Sequence, residues 1–165
     1  MQPDWGVLFA PEVRGRWGDK VHFGADPSTV AKWAVGPVYL ATPYSKRVMR
    51  NGKWAHDLSL YASAQAAREM SRLARVGVTA ISPIVQAAEM VHSEVAEGVD
   101  GLPRLDPLAA AFWENWCRPM LDACSAIVVP DIEGWQASEG IRHEVFTVLM
   151  NRPRHVFFYA GDFHG

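Results

Sequence analysis

The sequence has few cysteines and no cluster of metal ligands. Cys117 and Cys124 are its two cysteines, and they do not form a CxxC pair. The six histidines are scattered, without an HExxH motif. This pattern predicts reduced thiols in a cytoplasmic protein rather than a disulfide or a zinc site. No metal ion and no organic cofactor are expected.

An excess of charge and long apolar runs are also missing. The formal net charge is −2 at pH 7, so the basic face that binds a nucleic-acid polymer is not expected. No apolar run approaches the roughly 20 residues of a membrane-spanning helix, and the first residues lack the basic and apolar regions of a secretory signal. We therefore predict a cytoplasmic protein that has neither a membrane nor polymeric nucleic acid as a partner.

The familiar nucleotide and hydrolase motifs are absent. The sequence contains no P-loop, no GxGxxG fingerprint and no GxSxG elbow. Ordinary ATP and NAD sites and a serine-hydrolase triad are therefore disfavoured. What the sequence does have is a hydrophobic content of 49% in 165 residues, which is enough for one domain with a sizeable core.

Short apolar runs alternate with amphipathic segments from residue 37 onwards. Four apolar runs predict strands, at residues 37–41, 78–82, 126–129 and 154–159. Segments with helical periodicity or helix-start signals separate them, at residues 57–76, 84–95, 108–124 and 138–151. A strand–helix–strand order of this length implies right-handed crossovers and a parallel sheet. The predicted fold is α/β: a Rossmann-like doubly wound parallel sheet of four to five strands with helices on both faces.

The first 36 residues show no sustained period. They contain three tryptophans among glycines, prolines and charges, and only residues 26–33 are predicted to form a short helix, which Ser28 and Thr29 are suited to cap. We predict an N-terminal extension whose aromatic side chains pack against an α/β domain formed by residues 37–165. An oligomer contact or a lid over the site is the alternative role for the extension.

The stretch 125–144 has the layout of a ligand site. A buried strand is followed by a polar loop and then by a helix that starts near Ser138. In open α/β sheets, ligands bind beyond the carboxyl ends of the strands, and a helix start offers unpaired N–H groups to an anion. Glu144 lies about one turn inside this helix, over Gly140, where the missing side chain leaves room beside the carboxylate. Ser138 is either a plain N-cap or a phosphate contact, and the basic loop 46–54 is either solvated or a second phosphate contact.

Three short motifs occur in a fixed order. They are YLATPYS at residues 39–45, SPI at 82–84, and GWQASEG at 134–140, which continues to Glu144. With these motifs, over residues 37–160, the sequence resembles the nucleoside 2-deoxyribosyltransferase-like superfamily, and within it the DUF1937 family. The resemblance implies hydrolysis of an N-glycosidic bond or 2-deoxyribosyl transfer, on a nucleoside or a nucleoside 5′-monophosphate. It also implies a homodimer.

The resemblance implies roles for individual residues. Glu144 matches the nucleophile, Tyr39 the residue that orients it, and Ser138 the contact to the substrate's 5′-phosphate. A carboxylate held against the anomeric carbon can capture or stabilise the oxocarbenium-like state of such a reaction. The other candidate substrate contacts lie in the motifs or in the loop after the third predicted strand: Thr42, Ser45, Pro83, Asp131, Trp135 and Gly140.

Two positions depart from the superfamily pattern. Cys117 stands where the second carboxylate, which would protonate the departing base, is usual, and Ser125 replaces an Asp that often opens the third strand. We predict that Cys117 is a packed small residue rather than a nucleophile. The general acid is unassigned among four acids on the neighbouring helix and loop: Glu114, Asp122, Asp131 and Glu133.

The missing carboxylate leaves other functions open. A non-catalytic module that binds a nucleotide or an ADP-ribose-like ligand is the main alternative, and an enzyme that uses the loop acids on another ribosyl substrate is a third. Trp113 and Trp116 are predicted to be core residues, with stacking on a base as the alternative role.

Overall fold

The computed structural model describes residues 4–98 and 100–162, and the side chain of Arg14 is outside this description. The strands, in chain order, are β1 Val21–His22, β2 Val38–Leu40, β3 Met49–Arg50, β4 Lys53–Trp54, β5 Ala80–Ile81, β6 Ala126–Val129 and β7 His155–Phe158. The helices are α1 Trp5–Leu8, α2 Pro11–Trp17, α3 Pro27–Trp33, α4 His56–Ala74, α5 Pro83–Glu97, α6 Ala110–Ala123 and α7 Glu139–Asn151.

Five of the strands form one parallel sheet in the order β1-β7-β6-β2-β5. The central strand β6 is buried on both faces: Ile127 and Val129 belong to a core cluster with residues of α1, α2, α6 and α7, whereas Ala126 and Val128 belong to a second cluster with residues of α3 and α4. Strands of this kind read as continuous apolar runs, which is why the bounds of β6 were predicted correctly. The predicted Rossmann-like doubly wound sheet is confirmed.

Each of the four predicted strands and four predicted helices from residue 37 onwards has a counterpart, with ends that differ by a few residues. The basic loop 46–54 was predicted to have no secondary structure, but it forms the hairpin β3–β4, which turns at Asn51 and Gly52 with φ of 53° and 74°. The predicted cap of α3 was also wrong. Asp26 is the N-cap, and its carboxylate accepts a hydrogen bond from Thr29 N at 2.7 Å.

The described part of the N-terminal extension packs closely on the sheet. Strand β1 pairs in parallel with β7, so the extension supplies an edge strand. Trp5 is buried against Phe158 and donates from Nε1 to the carbonyl of Gln136 at 2.8 Å. The expected packing of the extension's aromatic residues is therefore present. The division of the chain at residue 36 stays a prediction.

The helices of the structure were compared with the length and hydropathy of a membrane-spanning helix. Within residues 4–98 and 100–162, no helix is both long and apolar enough to cross a membrane.

Candidate active site

A cavity of about 510 Å³ lies beyond the carboxyl end of β2, between α5, α6 and the first half of α7. Its volume is in the range of small-molecule sites, and its position is the one where open α/β sheets bind ligands. Seven of the nine residues predicted for the site line this cavity: Tyr39, Thr42, Ser45, Pro83, Ser138, Gly140 and Glu144.

The deepest polar contact in the cavity joins Tyr39 and Glu144. Tyr39 is only 1% exposed and donates from its hydroxyl to Glu144 Oε1 at 2.5 Å. Burial raises the pKa of Glu144 to about 7; the hydrogen bond from Tyr39 opposes this rise, and the charge of Glu114 adds to it. Burial and the negative charge of Glu144 also raise the pKa of Tyr39 well above its usual range, so its hydroxyl stays a donor. Near neutral pH, Glu144 is therefore poised between its protonated and ionised forms.

Cys117 faces the same pair from α6 and lines the cavity. Burial, with a smaller contribution from the charge of Glu144, raises the pKa of its thiol to about 11. The thiolate, which would be the reactive form, is scarcely populated at neutral pH. Cys117 thus offers a neutral S–H beside the carboxylate, in agreement with the prediction that it is not a nucleophile.

Positive charge and free N–H groups gather at the start of α7. Ser138 is the N-cap, and its Oγ accepts from Ile141 N at 3.3 Å. Lys46 Nζ donates to the carbonyl of Ala137 at 3.0 Å, and Arg47 also lines the cavity. The loop between β2 and β3 (the β2-exit loop, residues 41–48) and the start of α7 therefore form one surface suited to an anion. The sequence left open whether the basic residues after β2 are solvated, and the structure places Lys46 and Arg47 at the cavity.

Tyr44, which also lines the cavity, is held by a chain of hydrogen bonds between neutral groups. Its hydroxyl pairs with Ser59 Oγ at 2.7 Å and accepts from Trp54 Nε1 at 3.1 Å. Ser59 Oγ in turn pairs with His92 Nε2 at 2.8 Å. Burial lowers the pKa of His92, which favours the neutral imidazole that can share this hydrogen bond. The chain fixes the β2-exit loop to α4, α5 and the β3–β4 hairpin.

Thr42 is a buried residue of the cavity wall. Among the described residues, its Oγ1 has no hydrogen-bond partner. A buried hydroxyl without a partner is destabilising by about 1–3 kcal/mol. A ligand with a polar atom at this wall would recover part of that free energy, and the role of Thr42 as a substrate contact stays a prediction.

Two of the predicted substrate contacts lie outside the cavity. Trp135 is 4% exposed and packs edge-on against Trp5, with the ring centroids 5.6 Å apart, and against Phe158. Its indole is part of the core, because packing against Trp5 and Phe158 removes its apolar surface from water, which exposure in an open loop would not do. Asp131 is exposed and, like the neighbouring Glu133, does not line the cavity.

His143 lines the cavity but was not predicted for the site, whereas Glu114 and Trp113 were named as a candidate acid and an alternative stacking residue. His143 Nε2 lies 2.8 Å from Glu114 Oε1, and this contact links α7 to α6 at the cavity. Trp113, next to Glu114, also lines the cavity, and its indole donates to the carbonyl of Asp106 at 2.9 Å. One sequence signal was available: Glu114 and Cys117 are three residues apart on a helix and therefore share a face.

Metal binding has no evident location in the described ranges. No group of three or more His, Cys, Asp or Glu side chains in them is arranged to hold a metal ion. The cavity therefore offers side-chain acids, bases and hydrogen-bond donors.

Comparison with known proteins places these observations in a family. No curated protein matches the sequence. The family model DUF1937, described as a domain of unknown function, matches residues 36–161. This range contains Tyr39, Cys117 and Glu144 and every other residue that lines the cavity. The chain belongs to the DUF1937 family.

Proposed function

We propose that this protein cleaves the N-glycosidic bond of a nucleoside or a nucleoside 5′-monophosphate through Glu144, by hydrolysis or by 2-deoxyribosyl transfer. The observation that carries the proposal is the hydrogen bond from Tyr39 to Glu144 in the cavity wall. A carboxylate held by one donor in a low-dielectric site is both fixed in direction and reactive toward an electron-poor carbon.

In the first step, a carboxylate oxygen of ionised Glu144 attacks the anomeric carbon of the sugar. The bond between that carbon and the base breaks, its electron pair stays on the base nitrogen, and this nitrogen takes up a proton. In the second step, the anomeric carbon of the resulting ester is attacked by water, which then loses a proton, or by the nitrogen of a second base. Either attack returns the Glu144 carboxylate. Tyr39 keeps the carboxylate aligned through both steps.

The start of α7 supports a 5′-phosphate as the anchor of the substrate. Ser138 precedes Glu144 by six residues, which is about 9 Å along a helix axis and on the scale of a sugar phosphate. Lys46 and Arg47 add positive charge beside the unpaired N–H groups of the first turn. A phosphate bound there would direct the anomeric carbon towards Glu144.

Part of the cavity lining is apolar and suits a base. Its wall includes Ile84 and Ala87 of α5, Leu108, and Trp113 of α6. A base placed between these side chains removes apolar area from water, and the indole offers a stacking face. As part of this proposal, the protein is remotely related to nucleoside 2-deoxyribosyltransferase-like enzymes, and the ordered motifs from Tyr39 to Glu144 support that relationship. The proposal also includes a homodimer, which is common among those enzymes.

Release of free base tests the proposal. A panel of ribo- and deoxynucleosides and their 5′-monophosphates is incubated with the wild type, with Glu144→Ala, and with Asp122→Asn as a control on a carboxylate outside the cavity lining. We expect base release by the wild type and the control and none by Glu144→Ala. Equal release by Glu144→Ala, or no release from any substrate by the wild type, would overturn the proposal.

A non-catalytic module that binds a nucleotide or an ADP-ribose-like ligand is the second candidate function. The observation that favours it is the neutral thiol of Cys117 at the position where the resembling enzymes carry a second carboxylate. A binder would show a thermal shift with ADP-ribose or a nucleotide, abolished by Lys46→Ala together with Arg47→Ala, and no base release.

A further inference from the structure

We propose that His143, held by Glu114, donates the proton to the departing base and so fills the role for which Cys117 offers no carboxylate. The inference rests on the proposed function and completes its first step. His143 would be a catalytic residue, because it meets the leaving group, and Glu114 a positioning residue, because it acts through His143.

The first support is the location of the pair. His143 Nε2 and Glu114 Oε1 are 2.8 Å apart, and both residues line the cavity that contains Glu144. The pair joins α6 to α7, and Trp113, the residue before Glu114, lines the same cavity with an indole suited to stack on a base. Glu114 is also near enough to Glu144 for its charge to contribute to the raised pKa of that carboxyl.

The second support is that the other candidate acids are less suitable. The pKa of the Cys117 thiol is raised to about 11, which makes it a poor proton donor at neutral pH. Asp122 pairs with Arg118 at 3.3 Å and does not line the cavity. Glu139 does line it, but it is the first residue of α7, at the helix start proposed to bind the phosphate.

The proposed step is balanced as follows. As Glu144 attacks the anomeric carbon, the bond to the base breaks and its electron pair remains on the base nitrogen. Imidazolium His143 gives its Nδ1 proton to the base and becomes neutral, while Nε2–H stays hydrogen-bonded to the Glu114 carboxylate. The side chains of His143 and Glu114 are 43% and 57% exposed, so solvent can return the proton after the base has left. This use of a carboxylate to orient an imidazole is common in acid–base catalysis.

The dependence of the rate on the leaving group tests this inference. A natural nucleoside needs a proton on its departing base, whereas a 4-nitrophenyl glycoside of the same sugar loses a stable phenolate without one. We expect His143→Gln and Glu114→Gln to slow the nucleoside reaction by about 10²-fold or more and to leave nitrophenol release within a few-fold of wild type. Asp122→Asn, on the same helix as Glu114, should leave both rates unchanged.

The outcomes separate the inference from the proposed function. Equal losses on both substrates, or no loss on either in variants that melt like the wild type, would overturn the role of the pair and leave Glu144 as nucleophile untouched. A wild type that releases neither base nor nitrophenol would overturn the proposed function and this inference with it.

Discussion

Tyr39 and Tyr44 belong to one short motif and line one cavity, yet their hydroxyls have opposite surroundings. Tyr39 donates to the half-buried carboxylate of Glu144, which raises the pKa of Tyr39, whereas the hydrogen bond from Tyr39 lowers the pKa of Glu144. Tyr44 is joined through Ser59 to His92, a chain whose members are all neutral. The comparison shows that the partner, rather than the tyrosine, decides whether the hydroxyl faces an ionisable carboxylate or a chain of neutral groups.

The two surroundings also differ in their effect on folding. A buried carboxylate that ionises near pH 7 opposes folding at higher pH, because the unfolded chain ionises it freely. A chain of hydrogen bonds between neutral groups stabilises the fold and rigidifies its surroundings. Substitution of Glu144, the partner of Tyr39, and of Ser59, the partner of Tyr44, should therefore change the free energy of unfolding in opposite directions.

The largest effect is expected for Glu144→Gln. The folded-state pKa of about 7 lies above the ordinary value of 4.5, so the stability linked to this carboxyl is present below about pH 4.5 and lost as the pH rises through 7. Removing the charge should raise the free energy of unfolding by about 3 kcal/mol near pH 9 and change it little near pH 4. Urea denaturation at both pH values measures this difference, and an equal effect at the two values would contradict the raised pKa.

On the neutral side, Ser59→Ala should lower the free energy of unfolding by about 1–3 kcal/mol. The substitution leaves the Tyr44 hydroxyl and His92 Nε2 without the partner that they share. The specific activity of the folded fraction should stay within a few-fold of wild type. Denaturation curves and active-site-normalised rates measure both quantities. Unchanged stability would show that the chain of hydrogen bonds has no structural role.

For Tyr39→Phe, the expected change is in the pH profile. The hydrogen bond from Tyr39 lowers the pKa of Glu144, so its loss should move the acidic limb of kcat/KM from near pH 7 upward by about one unit. The pH dependence of kcat/KM for base release measures the shift. A limb that stays in place would mean that Tyr39 does not act on Glu144.

The smallest effect is expected at the anion-binding end. Lys46→Met should raise KM for a nucleoside 5′-monophosphate by about 5- to 10-fold, near 1 kcal/mol, and leave KM for the nucleoside unchanged. Lys53→Met, in the exposed strand β4 outside the cavity lining, is the matched control. Paired Michaelis curves on the two substrates measure the effect. Equal changes in KM for both substrates would contradict the proposed contact between Lys46 and the 5′-phosphate.

The sequence was informative where burial forces a simple pattern. Strand β6 is apolar at every position because both of its faces are covered, and its bounds were predicted without error. Strand β1, by contrast, is two residues long, which leaves no periodicity to detect. Its place at the sheet edge is decided by pairing with Val156 of β7, a contact far along the chain.

At the site, too, the sequence did not reveal contacts between residues far apart in the chain. Tyr39 and Glu144 were singled out because ordered motifs carry them, and the structure brings them into contact. Trp135 was assigned to the ligand because its loop follows a strand, but its indole packs against Trp5, in the segment that showed no pattern. Glu114 and His143 lie on different helices, so only the packing of α6 against α7 brings them together.

Capture of the glycosyl-enzyme intermediate tests the central claim most directly. A substrate with a 2-deoxy-2-fluoro sugar slows the breakdown of the ester, so the sugar should accumulate on the protein. We predict that peptide mass spectrometry finds the added sugar on Glu144 and that Glu144→Gln acquires none. Turnover of natural substrates combined with no adduct, or an adduct on another residue, would contradict Glu144 as the nucleophile.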